Sequence, residues 1–255
     1  MELKKILKKC YCLIFIAVFL MVWEYLSDNN FINTFFFSSP LSIIKDLIAM
    51  FGTGEIWPHI YITLKASLFG LFYGVVFGVI IAFLFGNIPL LADIFDPILV
   101  GLYGLPKLSL GPLFIIWFGI GLQAKIFMAA IMVFFLVFFN AYAGFKNVDI
   151  NLINTLKIMG ASKLQIIQKV ILPSCVPWIM ASLRSGAGAS VLGAIVGEYL
   201  GSNQGLGWMV QAAGGVYNIT RVLSCIFLMM FIMSMLDYIL KHVEKRILRW
   251  RESID

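Results

Sequence analysis

The stretch NTLKIMGASKLQIIQKVILP, residues 154–173, is a polar and basic segment in a chain that is otherwise mostly apolar. Residues 149–159 can form an amphipathic helix, and Gly160 permits a sharp change of direction because glycine tolerates positive φ. A second basic and apolar segment follows over residues 161–170, and Leu172-Pro173 is predicted to stop it before the next apolar run. A short amphipathic helix between two bends can lie parallel to a membrane and dock into a groove on a soluble partner. The alternative is a surface loop that rests on lipid alone.

The composition around this stretch is that of an integral membrane protein. The chain has 255 residues, of which 61% are hydrophobic and only 13% are charged, and its mean hydropathy is +0.96. A soluble domain needs about twice that share of charged residues. The long apolar runs show no ten-residue alternation, which favours helices over a membrane β-barrel. We therefore expect an all-α membrane protein with a single transmembrane domain over residues 1–255.

Six membrane-spanning helices are predicted, since each needs about 20 apolar residues. They cover about residues 10–26, 62–85, 98–119, 126–144, 178–200 and 222–240, and residues 145–177 form a loop between the fourth and fifth spans. The third span is interrupted by Gly104, Pro106 and Lys107, so it should face the bundle interior or the cytoplasmic mouth rather than lipid. In the second span a small residue recurs at every fourth position, which makes a groove for another backbone. These residues are Gly70, Gly74, Gly78, Ala82 and Gly86.

Basic residues are strongly biased to one side of this topology. Both termini and the 145–177 loop share that side, which carries Lys4, Lys5, Lys8, Lys9, Lys146, Lys157, Lys163, Lys169, Lys241, Lys245, Arg246, Arg249 and Arg251. The other side has Lys45, Lys125, which we place in a tight turn over residues 119–125, and Arg221. By the positive-inside rule the first side is cytoplasmic. Membrane orientation thus accounts for the net charge of +6, and no nucleic-acid partner is expected.

No catalytic or metal-binding constellation is visible in the sequence. His59 and His242 are far apart, and neither has a cysteine or carboxylate at ligand spacing. The four cysteines lack metal or redox spacing and are interpreted as small hydrophobic residues. There is no Walker A pattern, so we expect the chain not to bind ATP through a P-loop. An intramembrane enzyme therefore has no support, and we expect neither a catalytic residue nor a metal.

The small-residue face of the fifth predicted span is the best candidate for the lining of a solute pathway. The candidate residues are Arg184, Ser185, Gly188, Ser190, Gly193 and Glu198. Small residues also serve helix packing, and both interpretations stay open. Arg184 could contact an anion or extend to the cytoplasm, and Lys107 is similar. Glu198 could pair with Arg221, bond to the following loop or touch a solute.

The spacing from Gly160 to Leu172-Pro173 resembles the pattern that marks permease subunits of binding-protein-dependent ABC importers. Asn154-Thr155-Leu156 stands where that family has Glu-Ala-Ala, and Val170 stands where it has isoleucine. Other segments are similar to the nitrate, sulfonate, taurine and bicarbonate branch of these permeases, in order along nearly the whole chain. They include Glu55-Ile56-Trp57-Pro58-His59, Trp117-Phe118-Gly119-Ile120-Gly121, residues 139–144, residues 159–162 and residues 197–207.

The resemblance implies a fold and a set of partners. The fold is a six-helix type I ABC importer permease with both termini in the cytoplasm of a bacterium, as a multi-pass protein of the inner membrane. The partners are a second copy of the chain, two ABC ATPase subunits that bind ATP and magnesium, an extracytoplasmic substrate-binding protein and the lipid bilayer. The chain itself would bind no cofactor.

The same resemblance implies a coupling helix over residues 150–165, seated in a cleft of the ATPase. The coupling residues it implies are Asn154, Thr155, Leu156, Lys157, Gly160, Ala161, Ser162, Leu172 and Pro173. The implied solute is a sulfonate, taurine or nitrate type of anion, with a thiamine-precursor pyrimidine or a riboflavin-like compound as the alternative. A stand-alone secondary carrier is disfavoured, because Lys107 and Arg184 are the only deep ionisable residues and no carboxylate lies near mid-membrane.

Overall fold

The computed structural model describes residues 2–248, and this part of the chain consists of helices with short connections. The helices are α1 (Glu2–Asp28), α2 (Thr34–Phe37), α3 (Pro40–Thr53), α4 (Ile56–Asn87), α5 (Pro89–Gly104), α6 (Gly111–Phe118), α7 (Leu122–Lys146), α8 (Ile150–Ile158), α9 (Lys163–Ile166), α10 (Leu172–Leu200), α11 (Leu206–Gly215) and α12 (Ile219–Ile247). A 3-10 turn at Lys107–Leu110 precedes α6, and a π-helical turn at Ile167–Ile171 precedes α10. Arg249 and Arg251 of the predicted basic tail lie outside the described residues, as do the side chains of the four N-terminal lysines.

Four helices among the described residues are long and apolar enough to cross a membrane. They are α4, α7, the continuous helix Lys163–Leu200 and α12. The predicted spans 62–85, 126–144, 178–200 and 222–240 fall inside these four helices, and the predicted span 10–26 falls inside α1. The all-helical class is thus confirmed. The count of six spans, the cytoplasmic termini and the single domain stay predictions.

The predicted third span, residues 98–119, is not one helix. It begins earlier, at Pro89, and the segment Lys107–Phe118 turns away from α5 by 90°. Leu105 is extended, with φ −65° and ψ 140°, because the ring of Pro106 disfavours helical geometry at the preceding residue. This region is therefore a bent pair of helices rather than the single predicted span.

Close packing of α4, α7 and α10 forms the centre of the bundle. A Cβ atom built on Gly74 of α4 would lie 2.6 Å from the Cβ of Val133 on α7. A Cβ atom on Gly193 of α10 would lie 2.6 Å from the Cα of Ala129. Only glycine permits these backbone approaches. The predicted groove of small residues on the second span is confirmed as a helix-packing surface.

A second group of helices, α3, α11 and α12, packs at one end of the bundle. Its core contains Met50, Leu206 and Cys225, each fully buried. Arg221 at the start of α12 ties the group together through Asp46 at 3.0 Å and Glu55 at 3.1 Å. Residues 206–215 of this group form α11, and the ion pairs of Arg221 join α12 to α3 and to the start of α4.

Candidate functional site

The predicted amphipathic helix of the 145–177 segment is α8, and both of its ends are fixed by hydrogen bonds. Asp149 is the N-cap, and its carboxylate accepts from the backbone N–H of Asn151 at 2.8 Å. At the other end Gly160 has φ +79°, and the N–H of Ala161 donates to the carbonyl of Leu156 at 2.9 Å. This is a Schellman-type ending, in which a left-handed residue closes the helix. The predicted bend at Gly160 is therefore present.

The chain then starts a new helix through a capping box that our sequence interpretation missed. The Oγ of Ser162 accepts from the N–H of Gln165 at 3.3 Å, and the Gln165 side chain accepts from the N–H of Ser162 at 2.8 Å. Serine followed three residues later by glutamine is a recognisable signal for a helix start. The second helix therefore begins at Lys163, and Ala161 and Ser162 belong to the bend.

One face of α8 is packed against the bundle, and its tip is open. Ile153 and Leu156 pack against a core cluster that includes Ile166, Ile171 and Cys175. Asn154, Thr155 and Lys157 are exposed. At the tip, 87% of Ile158 and 75% of Met159 are exposed. The inner face anchors α8, and the tip leaves apolar side chains exposed.

Leu172-Pro173 does not end the helix, contrary to our prediction. The chain is helical without interruption from Lys163 to Leu200. Pro173 lacks an N–H and would break a regular α-helical bond, but the π-helical turn Ile167–Ile171 precedes it and shifts the bonding pattern. The coupling candidates therefore divide into two groups. Residues 154–162 lie together in and directly after α8, whereas Leu172 and Pro173 are the first two residues of α10.

The pathway candidates on α10 lie on two different faces. Ser185 is exposed, and Gly188 is half-buried, with the methyl carbon of Met233 3.4 Å from a Cβ atom built on it. These two share the open face with Leu192 and Tyr199, which are 56% and 49% exposed. The candidates on the packed face are Ser190, Gly193 and Glu198, all buried. The open face is the side of α10 that the rest of the described chain leaves uncovered.

Arg184, also on α10, is held by an ion pair with α12. Its Nε donates to Asp237 at 2.7 Å, and Lys241 reaches the second oxygen of the same carboxylate at 2.8 Å. The three side chains carry one net positive charge and remain partly exposed. Asp237 therefore neutralises part of the charge that Arg184 could offer to an anion.

Glu198 sits in a buried polar cluster that our sequence interpretation did not assemble. We define the Glu198 cluster as Thr63, Lys125, Glu198 and the backbone of residues 204–207. The carboxylate accepts from Thr63 Oγ1 at 2.9 Å and from the N–H of Gly207 at 2.9 Å, and it lies 4.0 Å from Lys125 Nζ. Lys125 Nζ also donates to the carbonyl of Gln204 at 2.6 Å. The suggested pairing of Glu198 with Arg221 is wrong, because Arg221 binds Asp46 and Glu55 instead.

The Glu198 cluster joins three helices to the connection between α10 and α11. Thr63 comes from α4, Lys125 from the first turn of α7 and Glu198 from the end of α10. Lys125 was predicted in a turn over residues 119–125, but α7 begins at Leu122 and buries it. Beside the cluster, the N–H of Gly205 donates to His59 Nδ1 at 3.0 Å. The sequence contained one indication of this cluster, because the predicted topology puts Lys125 and Glu198 on the same side of the membrane.

Comparison with known proteins identifies a family to which this chain is similar. The family described as binding-protein-dependent transport system inner membrane component matches residues 74–249. The chain is 31% identical over 244 residues to the taurine transport system permease protein TauC of Escherichia coli, which covers 94% of this chain and 89% of that protein. It is 28% identical over 239 residues to the putative aliphatic sulfonates transport permease protein SsuC of Bacillus subtilis, covering 94% and 87% of the two chains.

A solved structure has the same fold. An inward-facing structure of the MetNI methionine ABC transporter matches with a TM-score of 0.59 and 23% identity, over 76% of this chain and 93% of the other. The family match spans α7, α8, α10 and α12, and thus includes both the coupling candidates and the pathway candidates. The chain therefore belongs to the family of inner membrane components of binding-protein-dependent transport systems.

Proposed function

We propose that this permease is the membrane subunit of an ATP-driven importer in a bacterial inner membrane. Two copies would form the translocation pathway, two cytoplasmic ABC ATPases would bind ATP and magnesium, and an extracytoplasmic binding protein would deliver the solute. The chain supplies the conduit and the mechanical connection and binds no cofactor of its own. Membership of the family supports this proposal, as does the MetNI likeness at the level of fold.

The observation that carries the proposal is the exposed apolar tip of α8 on a firmly anchored helix. Ile158 and Met159 expose most of their apolar side chains to water, which is unfavourable. Burying them in a groove of a partner would remove that apolar surface from water. Ile153 and Leu156 join α8 to the base of the Lys163–Leu200 helix. A displacement of the ATPase would therefore move α10, which carries the pathway candidates. Such a switch needs contacts that differ in energy between two states of the ATPase pair.

The solute we favour is a small sulfonate or taurine type of anion. Two relatives named for aliphatic sulfonates and taurine align with 94% of the chain. A second candidate is a pyrimidine or a flavin, since the chain is also 27% identical to the formylaminopyrimidine transport permease protein ThiX of Halalkalibacterium halodurans. It is 25% identical to the riboflavin transport system permease protein RibX of Chloroflexus aurantiacus.

The proposal is tested by reconstituting the chain in proteoliposomes with ATPase and binding-protein partners from the same organism. We expect taurine or an alkanesulfonate to enter only when ATP and the binding protein are both supplied. Uptake by the chain alone, without ATP, would overturn the importer assignment. Binding of a pyrimidine or riboflavin, but of no sulfonate, to the partner binding protein would overturn the solute assignment and leave the ATP dependence intact.

A further inference from the structure

The break between α5 and the 3-10 turn places a half-buried lysine beside the middle of α7. Lys107 Nζ donates to the carbonyl of Tyr103 at 2.8 Å, and it lies 4.5 Å from the centre of the Tyr103 ring and 5.4 Å from that of Phe135. Phe135 is close to the middle of α7, about 20 Å along the axis from Leu122 and about 16 Å from Lys146. The ammonium group is therefore near mid-membrane, and its aliphatic stem is too short to reach either surface.

Lys107 has no carboxylate within ion-pair distance among the side chains that the structure describes. Three other basic residues of the bundle helices do have one, since Lys125 pairs with Glu198, Arg184 with Asp237 and Arg221 with Asp46. Half-buried Lys65 on α4 instead lies over the ring of Tyr61. One N–H of Lys107 is used by the carbonyl of Tyr103, which leaves two for another acceptor. A cation at this depth is costly against lipid, and it marks a wet or ligand-bearing surface.

The backbone at the same point leads to the same conclusion. Leu105 and Pro106 interrupt the helical hydrogen bonds, and both are exposed in the single chain. Broken backbone at membrane depth is tolerated only where protein covers it or where it lines a water-filled cavity. Space is open beside it, since Cβ atoms built on Gly101 and Gly104 would meet no atom within 4 Å. A small solute thus has room beside the ammonium group.

We propose that Lys107, framed by Tyr103 and Phe135 at the break after α5, forms a mid-membrane subsite for the anionic group of the transported solute. The inference rests on the proposed function and makes it more specific: it assigns a sulfonate-type monoanion a binding partner inside the pathway. Two free N–H groups donate to the anion, and the aromatic rings hold the ammonium group in place. The bound anion relieves the unpaired charge of Lys107.

The experiment compares Lys107→Gln and Lys107→Arg with wild type in the reconstituted complex, using taurine and ethanesulfonate. Glutamine can still donate to the carbonyl of Tyr103 but has no charge, so a helix-capping role would survive this change. We expect Lys107→Gln to lower the uptake rate at least tenfold without changing assembly or ATPase activity, and Lys107→Arg to retain most uptake. Lys65→Gln is the matched control, because Lys65 also lies on a long apolar helix over an aromatic ring, that of Tyr61. Its uptake should equal that of wild type.

Each outcome is decisive. Uptake by Lys107→Gln at the wild-type rate would overturn the subsite and leave the proposed function standing. A wild-type complex that moves neither sulfonate would overturn the proposed solute, and the subsite with it. If Lys107→Gln does not assemble, Lys107→Cys in a chain without its native cysteines replaces it. Modification with the positively charged aminoethyl methanethiosulfonate should then restore uptake and the neutral methyl reagent should not, whereas no restoration would contradict the proposal.

Discussion

At the scale of single residues, the buried pair of Lys125 and Glu198 is the feature most sensitive to change. Only 3% of Lys125 is exposed, and Glu198 is fully buried. Each side chain bonds to backbone groups of residues 204–207 as well as facing the other. A buried charge is tolerated because its partners compensate for the lost water, so removing one partner leaves the other uncompensated.

Lys125→Met should therefore destabilise the protein by about 3–5 kcal/mol. The double variant Lys125→Met with Glu198→Gln should recover part of that loss, because no unpaired charge remains. Thermal unfolding in detergent, followed by tryptophan fluorescence, measures both. A double variant that is less stable than Lys125→Met would show that the two charges do not compensate each other.

Gly74 provides a second residue-scale prediction. Since a Cβ atom there would lie 2.6 Å from the Cβ of Val133 and 2.8 Å from the carbonyl oxygen of Ala130, α4 and α7 must separate to admit alanine. Gly74→Ala should lower stability by about 1–3 kcal/mol. Gly101→Ala is the control, because Gly101 is helical and has no atom within 4 Å of the new methyl group. Equal melting temperatures for the two variants would contradict close packing of α4 on α7.

At the scale of elements, α8 and its ending at Gly160 determine how the tip is presented. A Cβ atom on Gly160 would meet nothing within 4 Å, so the residue is required for its backbone conformation and not for space. At φ +79° a β-branched residue is strained by about 1–2 kcal/mol. The bend that separates α8 from Ser162 is therefore specific to glycine or, at smaller cost, asparagine.

Gly160→Val should uncouple ATP hydrolysis from transport, or prevent assembly with the ATPase, while the chain still inserts in the membrane. Gly160→Asn should remain close to wild type, because asparagine tolerates the left-handed region. The ratio of solute imported to ATP hydrolysed checks the first expectation, and co-purification with the ATPase checks the second. Normal transport and assembly of Gly160→Val would remove α8 from the coupling mechanism.

For the whole molecule, sequence patterns predicted the features that depend on residues close together in the chain. The apolar runs located four long helices within the described residues, the spacing of Gly70, Gly74 and Gly78 located the groove into which α7 packs, though not the identity of that helix, and Gly160 located the bend. Partners brought together by tertiary structure were not found. Glu198 meets Thr63 across 135 residues, and no local pattern reports that distance. Pro173 misled because its effect depends on the π-helical turn before it.

The open face of α10 is a surface that a second copy of the chain could cover. Leu192 and Tyr199 are about half exposed on a helix whose other face packs against α7. If two copies form one pathway, native mass spectrometry of the detergent-purified complex should show two copies of this chain with two ATPase subunits. A complex with one copy of this chain and a different permease would contradict the homodimer and would leave the coupling role of α8 intact.

We infer that contact of the α8 tip with the ATPase couples ATP hydrolysis to transport, and Ile158→Asp places a charge in that contact. Ile158 is 87% exposed, so the charge should not affect folding, and Val216→Asp, 75% exposed at the end of α11, is the control. The measurement is ATP-driven taurine uptake by proteoliposomes containing the permease, ATPase and binding protein. If this coupling holds, wild type and Val216→Asp should show uptake, and Ile158→Asp should lose it. Uptake by Ile158→Asp at the wild-type rate would contradict it.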